Sequence, residues 1–138
     1  MRFMIMVKAT AVSEAGVMPD DDRVMNAMAT YHEELAKAGV LLDANGLRPT
    51  SQGWRIRYAG GRRTVLDGPF AETKELIAGY TLMPVRSREE AIEWARRFPA
   101  PFGENADGEI EVRELYEPED FDPDGRLART RKSQAASR

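Results

Sequence analysis

The chain has no cysteine and only one histidine, His32, among its 138 residues. The first absence excludes a disulfide framework, a thiolate nucleophile and every cysteine-based zinc or iron–sulfur site. The second excludes a multi-histidine metal centre within one chain, so neither a metal nor a cofactor is expected. No window reaches the roughly 18 apolar residues of a membrane span. The apolar run Phe3–Val7 before Lys8 is shorter than the roughly 7–15 residues of a secretory signal core. A cytoplasmic protein without membrane contact is the expectation. Positive charge is not in excess either: the net charge is -3, which argues against nucleic acid as a partner. Arg129, Arg131 and Lys132 near the end lack interleaved aromatics and read as a solvated terminus.

What is present suits one folded domain. Hydrophobic residues make up 42% and charged ones 31% of the sequence, a globular balance at a length that supports a core without covalent staples. Phe3 to Val7 reads as a buried strand. Asp20-Asp21-Asp22 follows a loop and places negative charge where a helix begins. Val24, Met28, Tyr31 and Leu35 form a helical stripe, closed by Gly39. Val40-Leu41-Leu42 predicts a second strand, interrupted at Asn45-Gly46 and resumed through Leu47. Trp54–Tyr58 and Arg62–Leu66 flank Gly60-Gly61 and predict a β-hairpin. Ile77–Val85 reads as a central strand, and Ser87-Arg88-Glu89-Glu90 as a capping box before a helix bearing Ala91, Trp94, Ala95 and Phe98. Pro99 and Pro101 stop that helix. A last strand runs from Ile110 to about Tyr116.

The order is β-α-β-β-α-β with an added hairpin, an α+β ferredoxin-like sandwich. Two helices cover one face of its antiparallel sheet and leave the other to water or to a partner. Tyr80, Leu82 and Met83 leave neither face of the central strand wholly polar, so a homodimer that buries the second face is expected. The domain is placed at 1–117, with 118–138 a largely disordered C-terminal extension.

The string Asp67-Gly68-Pro69-Phe70, with Ala71-Glu72-Thr73-Lys74-Glu75 and Ala78-Gly79-Tyr80, resembles the YCII-related proteins that carry the DGPF motif. Ala38–Leu42, Gly46-Leu47, Glu90–Ala95 and Ile110–Arg113 extend the resemblance over roughly residues 1–117. It implies a dimeric α+β barrel. The biochemical role of such proteins is largely unassigned, and their genes often lie beside those of alternative sigma factors. Smaller YCII proteins have been proposed to use a His–Asp pair. By rough alignment those positions fall near Met28 and Arg97-Phe98-Pro99 here, and neither residue is present.

Six side chains are candidates for chemistry. Asp67 is a general base or ligand anchor in a dimer cleft on one reading, and a turn residue bonding backbone N–H groups on the other. His32 is the one group with an unperturbed pKa near neutrality. It stands about 60° from Leu35 at 100° per residue, as a packed border residue or as a catalytic one. Glu72 and Lys74 form an anion-holding set with Asp67, or a solvated segment. Tyr80 and Trp54 line a ligand pocket or belong to the core. The function that follows is a small-molecule-binding or regulatory homodimer, with a tie to an alternative sigma factor system implied by the resemblance. The alternative is a cofactor-free isomerase, lyase or hydrolase of a small metabolite.

Overall fold

A computed structural model describes residues 1–18 and 22–125. Four strands form one antiparallel sheet: β1 (Arg2–Lys8), β2 (Asp43–Gly46), β5 (Ile77–Pro84) and β6 (Ile110–Glu114), in the order β2-β5-β1-β6. Helices α2 (Asp22–Lys37) and α3 (Arg88–Arg96) lie behind it. This is the ferredoxin-like arrangement, with the hairpin β3 (Trp54–Ala59) and β4 (Arg62–Asp67) inserted between β2 and β5 as a separate two-stranded sheet. The four-stranded sheet is open, and the described residues form no closed barrel. Among them no helix is long and apolar enough to cross a membrane.

Alternation assigns the faces. Phe3 and Ile5 of β1 stand opposite Met83 and Thr81 of β5, and all four are buried under the helices. From α2, Tyr31 and Leu35 of the apolar stripe complete that core, and Ala91 joins from α3. Gly39, at φ +74°, ends α2: its N–H donates to Ala36 O and Val40 N–H to Leu35 O, which turns the chain back toward the sheet. The Ser87 hydroxyl caps α3 by accepting from Glu90 N–H at 3.1 Å. Tyr31 then ties the two helices together, its hydroxyl donating to the carbonyl of Trp94 at 2.6 Å.

Three elements differ from the sequence expectation. The second strand is Asp43–Gly46, starting later than the expected Val40 but inside the expected span to Leu47, and it runs through the Asn45-Gly46 pair expected to interrupt it. Pairing with β5 overrides the local turn preference: Leu42 N–H donates to Leu82 O and Leu47 N–H to Ala78 O at either end. A short helix α1 (Ala11–Glu14) occupies the expected loop, nucleated by reciprocal bonds between Thr10 and Ser13. Past Glu117 a further helical turn, α4 (Pro118–Phe121), opens with proline at its first position and with Glu117 N–H donating to Asp120. The expected disordered end from Arg129 and the acids Asp20 and Asp21 lie outside the described residues.

Candidate functional site

The face of the sheet away from the helices has two cross-strand rows. One runs Arg113, Met4, Leu82, Asp43 and the other Glu111, Met6, Tyr80, Asn45, each from β6 through β1 and β5 to β2. Charge therefore sits at the β6 edge, apolar side chains in the centre, and hydrogen-bonding groups at the β2 edge. Among the described residues no helix covers this face. Lys8, also on it, pairs with Glu111 at 3.7 Å.

At the β2 edge three side chains are bonded to one another. The Tyr80 hydroxyl donates to Asp43 Oδ2 at 2.7 Å. Asn45 Nδ2 donates at 3.0 Å both to Asp43 Oδ1 and to the Tyr80 oxygen. Ala44 N–H donates to Asp43 Oδ1 at 3.0 Å and holds the carboxylate from the backbone. The donors of the trio are thus spent inside it, while Asn45 Oδ1 and the remaining lone pairs of Asp43 and Tyr80 stay available to accept. Tyr80 was singled out from the sequence. Asp43 and Asn45 were not, because Asn45-Gly46 carries the signature of a turn. The signal that finds them is their register opposite Leu82 and Tyr80.

His32 points the other way. Its ring lies behind the sheet, with Nδ1 2.8 Å from Met28 O and Nε2 2.8 Å from the hydroxyl of Thr81. Since a carbonyl only accepts, Nδ1 donates to Met28 O, while Nε2 and the Thr81 hydroxyl share a second hydrogen bond. Thr81 and Tyr80 are neighbours on β5 and face opposite sides, so His32 and the open-face trio share no cavity. Around His32 the rings of Tyr31 and Phe98 stand at 5.5 and 6.4 Å. Burial pushes the Tyr31 phenol up to about 12, opposed by the Arg97 guanidinium and aided by Glu34.

The Asp67–Phe70 string lies at the base of the hairpin. Gly68 N–H donates to Gly53 O at 3.0 Å, and a Cβ on Gly68 would stand 1.8 Å from Thr50 O. Only glycine fits that approach. Phe70 N–H donates to the Thr50 hydroxyl at 3.0 Å, and that hydroxyl donates in turn to Glu14, whose other oxygen accepts Thr50 N–H at 3.0 Å. The Arg55 guanidinium lies over the Phe70 ring at 3.8 Å. Gly68 and Phe70 thus fasten the hairpin to α1 and to the turn at Thr50–Gln52. Asp67 itself is exposed. Among the described residues its carboxylate has no hydrogen bond or ion pair, and Pro69, two residues on, has no N–H to offer it. Trp54 is its cross-strand partner. Glu72, left-handed at φ 54°, and Lys74 are exposed beyond it, and no ion pair joins either to Asp67. Open clefts of about 550 Å³ beside Arg2, Gly39 and Arg86, and about 520 Å³ beside Val24 and Phe102, contain none of the six candidates.

The family model for the YCII-related domain matches residues 1–119. The chain belongs to the YCII-related family. Among its relatives, an uncharacterised protein of Rhizobium meliloti (strain 1021), R00369, is 32% identical over 108 residues, which span 78% of this chain and 87% of that one. Within this YCII-related chain, the places aligned above with a His–Asp pair both neighbour His32. The Met28 carbonyl accepts from His32, whose ring lies near Phe98. Aromatic packing fills that region here: Tyr31 stands 5.2 Å from Phe98 and 6.4 Å from Trp94, ring centre to ring centre.

Proposed function

We propose that this YCII-related protein is a homodimer that binds a small organic molecule against the open sheet face, as a binding or regulatory module without turnover. The observation that carries the reading is the bonded trio Asp43, Tyr80 and Asn45 at the border of the apolar centre Met4, Met6 and Leu82. A second copy over this face would convert it into a chamber with an apolar floor and a rim that accepts hydrogen bonds. The complementary ligand has an apolar body and N–H or O–H donors at one end. Absence of turnover is favoured by the engagement of both His32 ring nitrogens and by the lack of any described partner for Asp67.

The test is a thermal-shift and calorimetric titration with small aromatic and aliphatic amines, amides and alcohols. Ligands of this class should raise the melting temperature of the wild type. Asp43→Asn, which removes the charge and keeps the shape, should weaken binding roughly tenfold or more, in keeping with the loss of a charge-assisted bond. Asp67→Asn should leave binding unchanged. Loss of binding in Asp67→Asn with retention in Asp43→Asn would move the site to the hairpin and contradict the proposal.

A further inference from the structure

The β3–β4 hairpin carries one face that is both apolar and exposed. Cross-strand register puts Trp54, Ile56 and Tyr58 of β3 beside Asp67, Val65 and Arg63 of β4 on that face. Trp54, Ile56, Tyr58 and Val65 are 64%, 45%, 66% and 62% exposed. A lone two-stranded hairpin is at best marginally stable in water, and four large apolar side chains in one exposed row are the mark of an interaction surface. Arg55, Arg57 and Arg62 lie on the reverse face, Arg55 over the Phe70 ring.

This face is its own complement. Ile56 and Val65 stand opposite each other at its centre. Arg63 with Tyr58 lies two positions to one side, and Asp67 with Trp54 two positions to the other. The two charges are therefore equidistant from the centre, at roughly 7 Å along the strand. A second hairpin laid face to face with its strands reversed brings Arg63 over Asp67 and Asp67 over Arg63. The same superposition sets Trp54 over Tyr58 and the aliphatic pair over itself. That is the symmetry of a two-fold contact, in which one residue meets a second and the second meets the first. Arg63 and Asp67 are both exposed, and among the described residues neither has an ion pair. Arg63 rests over the Tyr58 ring at 5.1 Å.

We propose that the hairpins of two copies of this chain pack stripe on stripe about the two-fold axis of the dimer, with Arg63 of each copy against Asp67 of the other. This rests on the homodimer reading above and adds to it the segment that extends the interface. At the exposures given, the stripe offers on the order of 500 Å², short of the roughly 800 Å² per partner of a stable interface. It therefore supplements the open-face contact and does not replace it. The unpaired carboxylate selects the occupant. A lipid surface would take the aromatic and aliphatic side chains but leave Asp67 desolvated without a partner. A second copy brings an arginine to the matching position.

The experiment is sedimentation equilibrium of the full chain and its charge-reversed variants, alone and mixed, with co-sedimentation on phosphatidylglycerol vesicles read in parallel. Arg63→Asp alone and Asp67→Arg alone each oppose like charges twice per dimer and should raise the dimer dissociation constant roughly tenfold or more. An equimolar mixture of the two single variants should recover association, as should the variant carrying both substitutions, and recovery also shows that each chain folds. Trp54→Ala, at an exposed site, should weaken the dimer without rescue by mixing. Arg57→Glu with Arg62→Glu, on the reverse face, should associate like the wild type at about 0.15 M salt, where distant charges are screened. Weakening by that reverse-face pair equal to the effect of the single reversals would overturn the contact. Single reversals that neither mixing nor combination rescues would overturn it too. A wild type that dimerises while all variants associate equally well would overturn the hairpin contact and leave the homodimer standing. A wild type that is monomeric throughout would overturn both. Vesicle binding abolished by Trp54→Ala, at unchanged dimerisation, would also overturn the contact and assign the stripe to a lipid surface.

Discussion

The imidazole of His32 and the hydroxyl of Thr81 meet at 2.8 Å across the interface between α2 and β5. Thr81 is 2% exposed, so each group loses a partner that water cannot readily replace when the other is removed. Thr81→Val keeps the shape and leaves Nε2 unmatched. It should cost about 1–3 kcal/mol in denaturant unfolding. A double-mutant cycle with His32→Ala should show a coupling of roughly 1 kcal/mol. Independent, additive effects would mean that the bond contributes nothing to the fold.

Gly68 is the residue of the Asp67–Phe70 string that tolerates least. Gly68→Ala places a methyl 1.8 Å from a backbone oxygen, and relief requires the base of the hairpin to shift. The expected loss is about 3 kcal/mol, at the upper end of overpacking costs, or roughly 10 °C in melting temperature for a domain of this size. Melting within about 2 °C of wild type would show that the loop at Thr50 yields easily.

Tyr31 sets the alkaline limit. Its phenol is held near 12 in the folded chain against about 10 when unfolded. Below pH 10 both states keep the proton, and the contribution of the buried, neutral phenol is fully present. Above it the unfolded state releases the proton first, and stability falls by up to roughly 1.4 kcal/mol per pH unit until about pH 12. Tyr31→Phe should flatten that part of the curve while lowering stability at neutral pH through the lost bond to Trp94 O. The measurement is denaturant unfolding from pH 8 to 12. An identical alkaline slope in both proteins would assign the effect to other groups.

Much of the fold is legible in the sequence because periodicity and packing agree. The stripe Val24, Met28, Tyr31, Leu35 and the alternation of Ile77–Pro84 each match the face they bury. The Gly60-Gly61 turn is equally plain, with both residues at positive φ. Sequence reading fails where a long-range pairing decides the outcome. Asp43–Gly46 carries turn residues and becomes a strand because β5 offers it an edge, and with it went the two partners of Tyr80. Asp67 drew attention as the charged member of a punctuating string. In the fold its neighbours Gly68 and Phe70 make that string's contacts, through a close approach and an aromatic stack that no local pattern announces.

The central claim is that the open sheet face belongs to an interface between two copies. Its centre is Leu82, opposite Met4 on one side and Asp43 on the other. Leu82→Arg introduces a charge there without touching the helix-side core. Sedimentation equilibrium at micromolar concentration gives the decisive comparison. The account predicts a wild-type mass of twice the 15.5 kDa chain, and a folded Leu82→Arg variant at a single chain mass. A wild type at 15.5 kDa, or a Leu82→Arg variant that dimerises as tightly as wild type, would contradict it.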